Sequence, residues 1–181
     1  ESYQAVGDEA VIEIDPGMAF GTGTHGTTML CLEMIAELLD SEAPPANMLD
    51  VGTGSGILAL GAAALGCGKV LANDIDPLAC DVAAENVQKN TYADQIEISP
   101  LPLEKLTGEF DLVVANILAE ENIRLKNDLL RHLRPGGWLV LSGILLEKEA
   151  LVREGFADLP LEDFPTRTQD EWVCLLYRRR K

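Results

Sequence analysis

Cysteine is sparse in this chain: four occur in 181 residues, at 31, 67, 80 and 174, and none forms a CxxC pair. That scatter argues against a structural zinc site. Cys31 and Cys67 sit among small or apolar neighbours and Cys80 falls on a helical pattern, so buried free thiols in a reducing cytoplasm are expected. No apolar run reaches membrane-spanning length, and no basic-then-apolar stretch opens the chain. Basic residues are few: 14 Lys and Arg stand against 30 Asp and Glu, a net charge of −16. Such a surface repels a phosphate backbone, so direct binding of DNA or RNA is not expected. It attracts a basic protein, although solubility alone also favours an acidic surface. The one basic run, Arg178-Arg179-Arg180-Lys181, reads as a solvated terminus. No set of metal ligands, no nucleophile–base pair, no internal repeat and no low-complexity segment is visible in the sequence.

What is present is a chain long enough for one full-sized core, with 47% hydrophobic residues. Its most informative stretch is LDVGTGSG, Leu49 to Gly56. The apolar run Met48 to Val51 reads as a strand ending in a loop with glycine at 52, 54 and 56. Ile57 to about Gly66 reads as a helix, Val70 to Ala72 as a second strand, and Asp74 ends it. Strand, glycine loop, helix, strand and acid form a nucleoside-binding βαβ layout. The acid can accept both ribose hydroxyls. The dinucleotide fingerprint wants a third glycine at 57, where this chain has Ile57. A diphosphate needs that tight turn onto a helix N-terminus. S-adenosylmethionine carries no phosphate and does not, so a nicotinamide-dependent oxidoreductase is disfavoured.

Elsewhere the elements alternate. Val11 to Ile14 is expected as a short strand, Gly17 to Gly26 as a loop, and Thr27 to Asp40 as a helix with apolar residues at 30, 34, 35, 38 and 39. Asp76-Pro77 opens a helix to about Asn90. Gln95 to Ser99 and Asp111 to Ala115 are strands. Leu118 to Leu133 is an amphipathic helix stopped by Arg134-Pro135-Gly136-Gly137. Trp138 to Leu141, Leu161 to Phe164 and Trp172 to Tyr177 complete the strands, with a helix over 146–155. This order predicts an α/β fold: a doubly wound, mostly parallel sheet with helices on both faces.

Such a sheet binds its ligand at the carboxyl ends of its strands. Gly52, Gly54 and Gly56, Asp74 and Asp76, and Asn116 should therefore converge on one crevice. Asp50, inside the first strand, either braces the glycine loop through backbone N–H groups or reaches solvent. Asn116 either orients an amine through its carbonyl or caps the following helix. His25 either acts on a substrate amine or fixes its loop by hydrogen bonding.

LDVGTGSG, ANDIDP and DLVVANI resemble the successive motifs of class I S-adenosylmethionine-dependent methyltransferases, which implies a Rossmann-like, seven-stranded sheet with an antiparallel last strand. DPGMAFGTGTHGTT (Asp15 to Thr28) and VVANILA (Val113 to Ala119) resemble, more specifically, the ribosomal protein L11 methyltransferase family. The resemblance runs from about Ile12 to the end. It implies transfer of methyl groups from S-adenosylmethionine to lysine side chains and the N-terminal amine of a basic ribosomal protein. It also implies roles. Gly52 and its neighbours would contact the amino acid part of the cofactor, Asp74 its ribose, and Thr28 would reach it from the loop before its helix. Asn116 would lie beside the methyl group and the incoming amine. Phe20, Gly21 and Gly23 would form a flap. The family carries a substrate-recognition domain ahead of this segment. Residues 1–10 are accordingly expected as a connector remnant, with 11–181 the single methyltransferase domain and the recognition domain absent. Ser99-Pro100-Leu101-Pro102 offers no acid for adenine, which would be met by backbone and hydroxyl groups. Ile117-Leu118 follows Asn116 where base methylases often carry aromatics, against a flipped nucleobase. The alternatives are another lysine or small-molecule acceptor, or a cofactor-binding module without turnover.

Overall fold

A run such as Met48-Leu49-Asp50-Val51, with little polar character on either face, is stable only between two layers. The computed structural model, which describes residues 9–15 and 25–181, places it in the middle of a seven-stranded sheet. The elements are α1 (Gly26–Leu39), β1 (Asn47–Val51), α2 (Ile57–Ala64), β2 (Lys69–Asn73), α3 (Pro77–Lys89), β3 (Ile96–Ser99), β4 (Phe110–Asn116), α4 (Ala119–His132), β5 (Leu133–Leu145), α5 (Glu149–Phe156), β6 (Leu161–Gln169) and β7 (Trp172–Arg179). The sheet order is β3-β2-β1-β4-β5-β7-β6. β1 to β5 pair in parallel, and β7 runs antiparallel between β5 and β6. The expected antiparallel last strand is therefore found.

Side-chain alternation splits the core into two layers. Met48, Val70, Leu112, Val114 and Val140 face Ile35, Leu58 and Leu60 of α1 and α2. Leu49, Val113, Leu139 and Leu175 face Leu129 of α4 and Val152 and Phe156 of α5. The four cysteines are free and buried, as the scatter suggested. No helix among the described residues is long and apolar enough to cross a membrane.

Two expectations need correction. Residues 11–14 form no strand. The segment is instead bonded by two asparagines one turn apart, Asn86 on α3 and Asn90 at its C-cap. Asn86 and Asn90 each accept from and donate to the backbone, at Asp15 and Glu13 respectively, over 2.8–2.9 Å. Two side-chain amides thus take the place of a strand neighbour. The breakers Arg134 to Gly137 do follow the end of α4, but they lie within β5. Phe110 pairs with Leu133 and Leu112 with Trp138, so these residues form a wide bulge.

Candidate functional site

The carboxyl ends of β1, β2 and β4 and the first turn of α1 surround a crevice of about 530 Å³. That volume suits a nucleoside-sized ligand. Its floor is the glycine loop. Gly52, Gly54 and Gly56 have φ of 73°, 56° and 83°, a region open to glycine at no steric cost. A Cβ on Gly52 would also meet Ile117 Cγ2 at 2.6 Å, where the loops after β1 and β4 close on each other. Gly52 and Gly54 line the crevice, whereas Gly56 caps α2 in the left-handed conformation. The backbone carbonyl of Asn73 accepts from the N–H groups of both Gly52 and Thr53, fixing the loop to the end of β2.

Asp74 lines the crevice, and its two oxygens accept from the N–H groups of Gly54 and Asp76, each at 3.0 Å. An ionised carboxylate offers about four acceptor positions, so capacity remains for a pair of hydroxyls. Asp76 also reaches the crevice, but its side chain caps α3 by accepting from Leu78 N. Its cap and Pro77 at the helix start explain why α3 begins there.

Asn116 ends β4 on the opposite wall, and its side-chain carbonyl oxygen is buried without a hydrogen-bond partner. The alternative reading as a helix cap is excluded: Leu118 occupies that position, without a side-chain bond. Thr28 is buried on the crevice wall, but within the first turn of α1 rather than in the preceding loop. His25 caps α1. Its Nδ1 lies 2.9 Å from Thr27 Oγ1, and its ring packs on Trp172 at 5.1 Å. It is not part of the crevice wall. Phe20, Gly21 and Gly23, the expected flap, lie outside the described residues. Among the described residues no His, Cys, Asp or Glu cluster is arranged to hold a metal.

Asp50 neither reaches solvent nor contacts the crevice. It is fully buried behind the loop, and its Oδ2 accepts from Thr53 Oγ1 at 2.6 Å. The bond to the glycine loop comes from the Thr53 hydroxyl, and the backbone of Ala59 on α2 adds a further hydrogen-bonding contribution to the carboxylate. Burial pushes its carboxyl up to about 7, the nearby Asp74 adds to this, and the Thr53 hydrogen bond opposes it. The raised value means that the folded state holds a proton which the unfolded chain has lost above about pH 4. Stability is therefore expected to fall as pH rises from about 4 to about 7 and then to level off. Asp50→Asn keeps the acceptor for Thr53 and should flatten this slope in urea unfolding measured across that range. An unchanged slope would remove Asp50 as its source.

Several wall and support residues were not singled out by the sequence. Leu103 and Glu104 continue the crevice wall beyond Pro102, the end of the Ser99–Pro102 run. Asn73 Nδ2 pins that segment by donating to the carbonyls of Ser99 and Leu101. Asn122 Nδ2 donates to the carbonyls of Ile117 and Ser142, holding the loop after Asn116. Asn122 falls on the buried stripe of an otherwise amphipathic α4, and a polar residue there was the available signal.

A seven-stranded sheet of this order, with a glycine loop after β1 and an acid after β2, is the architecture of the class I methyltransferases. Within that class the chain belongs to the ribosomal protein L11 methyltransferase family, which residues 1–180 match. The ribosomal protein L11 methyltransferase of Syntrophotalea carbinolica is 55% identical over 177 residues, 98% of this chain and 58% of that protein. That of Geobacter metallireducens is 47% identical over 98% of this chain and 58% of its own length. The chain thus spans a little more than half the length of these relatives. The crystal structure of ribosomal protein L11 methylase from Lactobacillus delbrueckii subsp. bulgaricus superposes with a TM-score of 0.87 at 35% identity, covering 100% of this chain and 92% of that one. The N-methyltransferase NodS of Bradyrhizobium japonicum, solved with S-adenosyl-L-homocysteine, shares the fold at a TM-score of 0.69 and 16% identity, over 87% of this chain and 90% of that one.

Proposed function

We propose that this chain binds S-adenosylmethionine in the crevice and transfers its methyl group to amine nitrogens of ribosomal protein L11, on lysine side chains and the N-terminus. The observation that carries the reading is the placement of Asn116, with its unpartnered side-chain carbonyl oxygen, on the wall of the crevice that the glycine loop and Asp74 also line. A buried acceptor without a partner costs stability, and an incoming amine can satisfy it. Asp74 holds the ribose hydroxyls, Gly52 and Gly54 admit the amino acid end, and Thr28 closes the wall. The bound cofactor supplies a methyl group already activated on a sulfonium. Asn116 then accepts a hydrogen bond from the neutral amine and points its lone pair into the crevice, so that orientation supplies most of the acceleration. Apolar neighbours such as Ile57, Leu58 and Ile117 favour the neutral amine by desolvation. The net charge of −16 suits a basic acceptor and disfavours direct contact with nucleic acid. Buried free thiols fit a cytoplasmic setting.

Calorimetry tests the cofactor. S-adenosylmethionine and S-adenosylhomocysteine should bind and NAD should not; tight NAD binding with no response to the other two would overturn the reading. Asp74→Ala should weaken binding by about 1.5–3 kcal/mol, at least tenfold, because charged hydrogen bonds to the ribose are lost. The loop N–H groups of Gly54 and Asp76 lose their acceptor as well. Unchanged affinity with an intact fold would make Asp76 the candidate instead.

Acceptor recognition is a separate expectation. Transfer of labelled methyl to intact ribosomal protein L11 should be slow with these 181 residues and rise when the upstream part of a full-length relative is supplied. Remote binding energy of that kind improves turnover as well as affinity. Full activity from the 181 residues alone would show that this domain carries its own recognition surface.

A further inference from the structure

Asn86 lies on the buried face of α3, shielded from solvent, and its side-chain amide joins two separate segments. Its Nδ2 donates to the carbonyl of Asp15 at 2.9 Å and to that of Ser55 at 2.8 Å, and its Oδ1 accepts from Asp15 N at 2.9 Å. Both N–H groups of the amide are therefore in use, one on the segment ahead of α1 and one on the glycine loop. The reverse orientation would set its oxygen against two carbonyls and its N–H groups against the Asp15 N–H, so the network fixes the amide one way round.

Residues 12–15 are held much as a strand would be. Ile12 and Ile14 pack on the core while Glu13 and Asp15 are exposed. Two residues of extended chain span about 6.6–6.8 Å, and four residues of helix about 6 Å. Asn86 and Asn90 therefore meet Asp15 and Glu13 in register, and Asn90 Nδ2 also donates to Asn86 O at 2.7 Å. The glycine loop rests on the same helix. A Cβ on Gly56 would lie 3.3 Å from Ala83 Cβ, one turn before Asn86. Ser55 is fully buried and follows Gly54, which lines the crevice and donates to Asp74. Release of Asp15 leaves Asn86 with an unpaired buried N–H and oxygen, a costly state that the amide relieves by turning away from Ser55.

We propose that Asn86 is a positioning residue that couples the docking of residues 13–15 to the shape of the glycine loop. S-adenosylmethionine then binds more tightly when that segment is docked, and docking is firmer when the cofactor is bound, one coupling free energy seen from two sides. This rests on the crevice being the S-adenosylmethionine site.

Amide hydrogen exchange at Glu13 and Asp15 of the wild type, with and without saturating S-adenosylhomocysteine, reads the coupling directly. The ligand should slow exchange at both amides by roughly threefold or more, the scale of one hydrogen bond. The double variant Ile12→Ala, Ile14→Ala loosens the segment without altering α3 or the glycine loop. By calorimetry it should bind S-adenosylhomocysteine roughly threefold or more weakly. Asn86→Ala should bind at least as weakly, and in it the ligand should no longer slow exchange at Glu13. If Asn86→Ala does not fold, the wild-type exchange and the isoleucine variant decide. A purely structural Asn86 would cost stability but leave the wild-type exchange indifferent to ligand and the isoleucine variant's affinity unchanged, and either result overturns the proposal. Ligand-slowed exchange that persists in Asn86→Ala takes the coupling role from Asn86 and overturns it too. A wild type that binds no S-adenosylhomocysteine overturns the cofactor reading and this proposal with it, whereas normal binding with unaltered exchange overturns the proposal alone.

Discussion

Gly143→Ala is expected to destabilise the protein by about 3 kcal/mol or more. Gly143 has φ of 76°, where an L side chain costs roughly 1–2 kcal/mol. The larger effect is steric. A Cβ there would lie 2.5 Å from the carbonyl oxygen of Ile117, 2.9 Å from its carbonyl carbon and 3.0 Å from its nitrogen. All three are backbone atoms, so no rotamer change relieves the contact, and overpacking of this kind adds about 1–3 kcal/mol. Ile117 follows Asn116 directly, and Asn122 holds the same loop. The substitution should therefore weaken methyl transfer as well as folding. Gly66→Ala provides the control: its φ of 99° is also left-handed, but a Cβ meets nothing within 4 Å. Chemical denaturation should show the Gly143 variant losing substantially more stability than the Gly66 variant. Equal losses would mean that the Ile117 loop moves aside freely.

Asn116→Ala should reduce methyl transfer by about a hundredfold, the scale expected when a reacting group loses its alignment. Cofactor affinity should change little, since Asp74 and the glycine loop remain. Stability should not fall, and should rise if anything, because the variant removes a buried acceptor that has no partner in the protein. That combination, lower activity with equal or higher stability, marks a residue held for function at a cost to the fold. The measurements are single-turnover transfer from labelled S-adenosylmethionine to ribosomal protein L11, performed with the upstream part of a full-length relative present, and thermal unfolding of the free protein. Loss of stability with unaltered transfer would make Asn116 a structural residue and take the amine-orienting role from it.

Much of this site was legible because its residues are local. Gly52, Gly54 and Gly56 were legible as the loop that ends the first strand, and the structure adds that each has a left-handed φ. Asp74 follows a strand whose partner carries the glycine loop, so parallel pairing of β1 with β2 brings the two together. Asp76 was legible as a helix start, and the structure shows that its carboxylate caps α3. Asp50 was recognisable as an acid needing a reason. Its partner, the Thr53 hydroxyl, depends on how the loop turns back over the strand.

The order of local periods and breakers determined the layers, the parallel sheet and the crevice end, because each depends on short-range pattern and on chain direction. Tertiary structure alone decided contacts between residues far apart in the chain. Gly143 is small because Ile117 passes over it, and Asn73 reaches 26 residues ahead to Ser99. The 11–14 segment looked like a strand, but Glu13 and the following Asp15 are bonded by Asn90 and Asn86, more than 70 residues away. His25 lay in a motif loop, yet the geometry set it at the head of α1 against Trp172. His132, which the sequence did not single out, has carbonyls against both its ring nitrogens. A residue's backbone preference is written in its own neighbourhood, whereas a buried polar atom's partner is chosen only when the layers close.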